Sequence, residues 1–120
     1  MKKKYRVKHQ HDFDKIIKNK NQRKNDIFII YSQENNLEYA RFGISVGKKL
    51  GNAVYRNRKK RQIRSIIDNL EKNYLKNKDY IIILRKKGKH LEYQSLNKKL
   101  KSLIIEGKDK KWKRKTNLRF

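Results

Sequence analysis

The apolar residues of this chain lie in five short clusters, which basic and polar stretches separate. Together the clusters suffice for one small hydrophobic core, whereas a disordered chain of similar charge spreads its few apolar residues evenly. A chain of 120 residues has room for one compact domain with short tails. We therefore expect a single domain over residues 1–120, with a solvated basic arm at 1–8 and a mobile basic tail at 108–120. The clusters are IFIIY (27–31), RFGISV (41–46), SIIDNL (65–70), YIIIL (80–84) and SLIIE (102–106).

The first half of the chain predicts a short helix followed by two strands. Phe13 and Ile17 lie one helical turn apart, with Asp12 as a candidate cap, and residues 19–26 read as a polar connection. Ile27–Gln33 is rich in β-branched and aromatic residues, and Tyr39–Val46 alternates cleanly between two faces. Because only a short polar turn separates these two segments, we expect them to pair as an antiparallel hairpin.

The second half changes to a helical period. An apolar stripe predicts a long helix from Asn52, a suitable N-cap, to about Lys76. Asp79–Arg85 is nearly all apolar, which is typical of a strand covered on both faces. The predicted order is α-β-β-α-β-α, an α+β fold with the layers of an α-β sandwich. The stripe of the long helix consists of Ile63, Ile66, Ile67, Leu70 and Tyr74, and that of a last helix of Leu96, Leu100, Leu103 and Ile104.

The charge of the chain restricts its partners. Thirty-six Lys and Arg against 11 Asp and Glu give a formal net charge of +25, and such self-repulsion favours a polyanionic partner. No stretch approaches the roughly 20 apolar residues that cross a bilayer. The basic start lacks the apolar run of a signal peptide, and Cys is absent. We therefore expect a cytoplasmic protein that binds nucleic acid and no membrane.

Residues that could carry catalysis or hold a metal are few and scattered. His9 and His11 flank a single Gln near the chain start. Asp12 and Asp14 would point to different faces of a short helix, where capping and solvation explain them better than metal binding. A phosphate-binding loop fails at residues 43–49, because Lys stands where Ser or Thr should contact magnesium. We expect no catalytic residue and no metal site in the protein.

The strongest binding signal is the segment from Lys48 to Arg64, which has eight basic residues and no acidic one. Wound at 100° per residue, its basic side chains occupy nearly half of a helix, opposite the apolar stripe. Arg suits phosphate because its planar fork donates parallel hydrogen bonds, and an amide can pair with a base edge or a sugar hydroxyl. An acid-free run on so basic a chain favours nucleic-acid binding over a solvated face. The residues on this side are Arg56, Asn57, Arg58, Lys60, Arg61 and Arg64.

A second candidate site lies on the predicted sheet. Gly43 and Ser45 make one face of their strand small, and pairing could bring Tyr31 or Ile29 beside them. Such a groove could stack a base, with Phe13 from the first helix as its other wall. The alternative is that these aromatic residues belong to the hydrophobic core.

The segment GISVGKKLGNAVYRNRKKRQIR strongly resembles the signature of the bacterial ribonuclease P protein subunit. Its pattern Lys-Lys-x-Gly-Asn-Ala-Val-x-Arg-Asn-Arg-x-Lys-Arg-x-x-Arg occupies Lys48 through Arg64, and the resemblance covers about residues 5–106. It implies a small mixed sheet with a left-handed βαβ crossover, although right-handed crossovers are the rule. It also implies a 1:1 complex with a catalytic RNA, which holds the magnesium ions and removes the 5′ leader of precursor tRNA.

The same resemblance assigns residues to two surfaces. The RNA-binding set gains Lys48, Lys49 and Asn52 at the start of the helix. The cleft for the leader comprises Phe13, Ile17, Tyr31, Gly43 and Ser45, with Ile17 standing where the family often has a second Phe. Three other readings stay open: a ribosomal or general RNA-chaperone protein without a leader site, a nuclease that needs no RNA, and a DNA-binding helix, for which no dimerisation element is evident.

Overall fold

A computed structural model describes residues 2–70 and 77–106 of the chain, which form a four-stranded sheet with helices on both faces. Single 3-10 turns lie at Lys3–Tyr5, Lys48–Leu50 and Lys86–Gly88. Within these residues no helix is both long and apolar enough to span a bilayer. The elements are α1 (Gln10–Lys18), β1 (Gln22–Lys24), β2 (Phe28–Glu34), β3 (Arg41–Ser45), α2 (Ala53–Asp68), β4 (Lys78–Leu84) and α3 (Tyr93–Glu106).

Strand β4 lies inside the sheet, whose order is β1-β2-β4-β3. It runs antiparallel to β2 and parallel to β3, and its Ile81 and Ile82 are fully buried on opposite faces. The prediction of a strand covered on both sides is confirmed. The predicted hairpin is wrong, because β4 inserts between β2 and β3. An all-apolar strand at the sheet edge would expose both its side chains and its backbone to water.

The α+β sandwich is confirmed, and β3, α2 and β4 form a parallel βαβ unit. The left-handed crossover remains a prediction. Helices α2 and α3 cover one face of the sheet over the main core. Helix α1 covers only part of the other face, over a small cluster of Val7, Ile16 and Ile81.

The ends of the helices differ in part from the prediction. Asn52 caps α2 as expected, since its side-chain oxygen accepts the Tyr55 N–H at 2.9 Å. Helix α2 ends at Asp68, earlier than predicted, because the next turn returns Leu70 to the core; Tyr74 lies outside the described residues. In α1 the N-cap is His9, so Asp12 stands in the first turn and does not cap. All four residues predicted for the stripe of α3 are buried.

The predicted polar connection at 19–26 contains the edge strand β1, which the sequence pattern missed. Its inward residue is Arg23, only 5% exposed. The Nη1 atom of Arg23 donates to the Leu103 and Ile104 carbonyls at 3.3 and 2.7 Å. These carbonyls belong to the last turn of α3, where a helix lacks internal partners and favours a cation. The strand was missed because its single buried side chain is charged.

The predicted solvated arm at 1–8 is wrong for its second half. Arg6 forms a parallel bridge with Phe42, and the Val7 N–H donates to the Phe42 carbonyl at 2.9 Å. Val7 is 5% exposed. Its apolar side chain completes the cluster beneath α1, and its backbone covers the open edge of β3. The predicted tail at 108–120 lies outside the described residues.

Candidate nucleic-acid interface

Helix α2 has one face locked into the core and one face turned to solvent. Ile63, Ile66 and Ile67 are fully buried against the sheet. The side turned to solvent is exposed at Asn57, Arg58 and Arg61, and its border with the buried stripe is partly exposed at Arg56, Lys60 and Arg64; these six residues are here called the basic face. Lys48, Lys49 and Asn52 are exposed just before the helix. All nine residues of the predicted RNA-binding set are therefore at least partly exposed on α2 or in the residues just before it; their role in binding RNA stays a prediction.

The first turn of α2 is fixed by Gly51 and Tyr55. A Cβ atom on Gly51 would lie 2.5 Å from Cδ2 of Tyr55, so a larger residue would displace that ring. The Tyr55 hydroxyl donates to the Lys89 carbonyl at 2.5 Å, and burial raises its pKa. The side chain of Val54 stays 67% exposed in the same turn. The start of the helix thus combines a rigid backbone with an accessible apolar side chain among cations.

One basic residue of the segment does not belong to the basic face. Lys59 is buried, and its ammonium group donates to the Leu91 carbonyl. Burial, and secondarily the charge of Arg58, lower its pKa. Its position four residues before Ile63 is the sequence signal for this placement, because residues four apart share a helix face. Lys59 therefore ties α2 to the segment before α3.

The residues predicted for the cleft lie on the other face of the sheet, beside α1, where Phe13, Ile17 and Tyr31 pack against the small cluster of Val7, Ile16 and Ile81. The floor of the cleft is β4: Ile81 lies between Tyr31 and Gly43 in register, and Ile83 lies between Ile29 and Ser45. Tyr31 and Gly43 are therefore not strand neighbours, as the predicted hairpin would require, but they share this face. We define the α1 cleft by Phe13, Ile17, Tyr31, Gly43, Ser45, Ile81 and Ile83; the sequence reading omitted its floor. Phe13, Ile17, Tyr31 and Ile83 remain partly exposed.

Gly43 lets α1 approach the sheet, which leads to a prediction. A Cβ atom there would lie 2.6 Å from Cζ of Phe13 and 2.8 Å from Cδ1 of Ile81. Gly43→Ala should displace the Phe13 ring and lower the free energy of unfolding by about 1–3 kcal/mol, as overpacking does. Urea unfolding measures the change. Gly47→Ala is the matched control, because nothing lies within 4 Å of its Cβ position; equal losses for both variants would contradict this role of Gly43.

A buried ion pair closes one end of the cleft, and the sequence reading missed it. Nε and Nη2 of Arg41 donate to the two carboxylate oxygens of Asp79 at 2.9 and 2.6 Å. The side chains are 27% and 4% exposed, respectively. Asn35 adds a 2.7 Å hydrogen bond to Asp79, and the Asp79 bond raises the pKa of Arg41. A carboxylate that opens an all-apolar strand was the available signal, since such a group needs a partner when buried.

The residues considered for metal binding remain separate. Across residues 2–70 and 77–106, no group of three or more His, Asp or Glu side chains could hold a metal ion. His9 and His11 are exposed. Asp14 accepts a hydrogen bond from Gln10 within α1, and Asp12 faces Arg41 closely enough to affect its pKa.

Fold and surfaces together define a class: a small, strongly basic α+β sandwich with a cationic helix on one side and a partly exposed apolar surface beside α1 on the other. The chain matches the family model described as Ribonuclease P over residues 1–107. It therefore belongs to the family of ribonuclease P protein components.

Individual relatives agree with this placement. A Ribonuclease P protein component from Mycoplasma mycoides subsp. mycoides is 47% identical over 107 residues, covering 88% of this chain and 98% of the relative. One from Streptococcus pyogenes is 45% identical, covering 87% of each chain. The solved RNase P protein of Staphylococcus aureus superposes with a TM-score of 0.77 at 34% identity, over 87% of this chain and 95% of that one. The Thermotoga maritima protein gives 0.72 at 30%, over 82% and 93%.

Proposed function

We propose that this chain is the protein subunit of a ribonuclease P ribonucleoprotein. It binds the catalytic RNA through α2, and it binds the 5′ leader of precursor tRNA in the α1 cleft. The observation that carries this proposal is the division of α2 into a face fixed in the core and a solvent-facing basic face. Because the chain belongs to this family, ribonuclease P RNA is the RNA that we propose as its partner. The proposed complex is 1:1 and cytoplasmic.

The two surfaces suit two forms of RNA. The basic face offers rigid, spaced Arg forks for backbone phosphates, while Asn57 offers an amide for a base edge or 2′-hydroxyl. The α1 cleft offers partly exposed aromatic rings above an isoleucine floor, where an unpaired base can stack. A single-stranded leader has such bases, whereas the body of a folded tRNA has few.

The contribution of the protein is electrostatic and positional. Cations on both faces of the sheet reduce the repulsion between the phosphates of the two RNAs, which allows the leader to lie close to the catalytic RNA. In this proposal magnesium ions held by the RNA supply the activation of the attacking water. The protein holds and orients the substrate.

Reconstitution tests the proposal. Adding the protein to ribonuclease P RNA should stimulate cleavage of precursor tRNA most strongly at low magnesium and low salt, because ions substitute for the protein at higher concentrations. Cleavage rates with and without protein, measured across a magnesium series, give the result. No stimulation at low magnesium would refute the proposal.

Two controls separate the alternatives. The reconstituted complex should bind precursor tRNA more tightly than mature tRNA, whereas a general RNA chaperone without a leader site would bind both equally. The protein alone should leave precursor tRNA intact. Cleavage without the RNA subunit would instead identify a protein-only nuclease.

A further inference from the structure

A basic hollow lies at the β3 edge of the sheet and shares Arg41 with the ion pair that closes one end of the α1 cleft. We call it the edge hollow; its volume is about 240 Å³. It exists because the segment around Arg6 and Val7 docks along β3 instead of extending into solvent. The hollow is lined by Lys3, Lys4, Arg6, Lys8, His9, Tyr39 and Arg41.

Two aromatic rings hold one of its lysines in place. Tyr5 and Tyr39 contact each other edge to face, with ring centroids 5.4 Å apart. The ammonium group of Lys4 lies 5.1 Å from both centroids. Cation–π attraction from two rings restricts a side chain that would otherwise move freely in solvent. Lys4 is therefore a positioned cation.

The edge hollow is adapted to an anion. Among the described residues that line it, none is acidic. Arg41 also lines a second hollow beside α1, together with Asp12 and Asp79. Because Arg41 binds Asp79 there, the cations of the edge hollow are chiefly its lysines and Arg6. A concave surface that gathers cations from a docked segment and a strand attracts phosphate more strongly than the same charges spread over a convex surface.

The edge hollow lies close to α2, because one of its residues, Arg6, faces the α2 side of the sheet. Residues paired in neighbouring strands point to the same face of a sheet, so Arg6, which pairs with Phe42, points to the α2 side. The charge of Arg6, after burial as the main cause, lowers the pKa of Arg64. These two like charges are therefore held close together, and a phosphate between them would relieve their repulsion.

We propose that the edge hollow binds a backbone phosphate of the same RNA that the basic face of α2 contacts, which extends that contact across the sheet edge. This inference rests on the proposed function. It assigns the phosphate to the RNA subunit and not to the leader, because Arg6 points to the α2 side. Arg41, the lining residue on the α1 side, is already bound to Asp79.

Lys4→Gln tests the inference against Lys24→Gln. Both replace one exposed lysine, but Lys24 lies on β1 at the opposite edge of the sheet. For Lys4→Gln, the slope of log affinity for ribonuclease P RNA against log salt should fall by about one. The Kd at low salt should rise about fivefold. Lys24→Gln should match the unchanged protein, and melting temperatures should agree for all three.

The tyrosine pair offers an independent check. Tyr39→Leu removes one ring that positions Lys4 and should reproduce part of the loss of RNA affinity. Tyr39→Phe keeps the ring face and should bind as the unchanged protein does.

The outcomes are distinct. An unchanged slope for Lys4→Gln overturns the inference. An unchanged slope together with weaker binding of precursor tRNA, but not of mature tRNA, would assign the phosphate to the leader and overturn the assignment to the RNA subunit. If the unchanged protein fails to bind the RNA or to stimulate cleavage, the proposed function itself fails. If the unchanged protein stimulates cleavage but Lys4→Gln leaves the affinity for RNA and its salt dependence unchanged, only the proposal for the edge hollow is overturned.

Discussion

Replacing Arg56, Arg58 and Arg61 together by Gln should weaken binding to ribonuclease P RNA by about 100- to 1,000-fold near physiological salt. Arg58 and Arg61 are exposed on α2 and Arg56 is partly exposed, and none of the three belongs to the hydrophobic core. If all three contact phosphates, the slope of log affinity against log salt should fall by about two to three. Filter binding across a salt series measures both quantities.

A matched triple variant separates these sites from net charge. Lys18, Lys24 and Lys98 are exposed on α1, β1 and α3, respectively. Their replacement by Gln removes the same charge and should change the affinity far less. Equal losses in the two triple variants would mean that the protein binds RNA by total charge, without a defined face on α2. Both variants should keep the melting temperature, since the core is untouched.

Asp79→Ala should lower the free energy of unfolding by about 2–4 kcal/mol. Removing the buried carboxylate takes away the ion-pair partner of Arg41 and the nearer of two acceptors of Asn35, in a place that water reaches poorly. The range lies somewhat below that for a fully buried pair, because Arg41 is partly exposed and can turn toward solvent. Urea unfolding at constant ionic strength measures the change.

Asp26→Ala is the control for this prediction. Asp26 also pairs with a basic residue, Lys99 at 3.0 Å, but both side chains are about half exposed. Solvent screens such a pair, so its loss should have little effect on unfolding. A double-mutant cycle with Arg41→Ala should show that the double variant loses less than the sum of the single variants. Equal effects at Asp26 and Asp79, or additive losses in the cycle, would contradict a coupled buried pair.

The sequence predicts those parts of the fold whose signal is local. The cap at Asn52, the buried stripe of α2 and the two-sided burial of β4 each follow from residue types within a few positions. Strand order does not, because the preference of β2 for β4 over β3 depends on covering an apolar strand about 45 residues away. Strand β1 was not predicted, for a related reason. The partners of Arg23 are carbonyls at the far end of the chain.

The two candidate surfaces differ in the same way, because one depends on local sequence and the other on residues far apart in the chain. The basic face lies on one helix, so the helical period was enough to group its residues. Asn57, Arg58 and Arg61 are exposed as predicted, whereas Arg56, Lys60 and Arg64 border the buried stripe and are only partly exposed. The α1 cleft combines residues of four separate elements, α1, β2, β3 and β4, and only its wall residues could be named in advance. Its floor on β4 and the ion pair at its end require the three-dimensional arrangement. The docked segment at Val7 carries one apolar residue among cations, which is too little for a periodic pattern.

The central place of β4 also affects how the protein reaches its folded state. The strand that joins β2 to β3 is the last of the four in the chain, so a nascent chain that ends before residue 78 lacks the strand that links β3 to the rest of the sheet. Long-range pairing of this kind slows folding, because loop closure precedes the contacts that stabilise it. The floor of the α1 cleft and the support of the basic face then form in the same event. We therefore expect the folded chain to gain the α1 cleft and the basic face together, and a chain truncated before β4 to form neither surface.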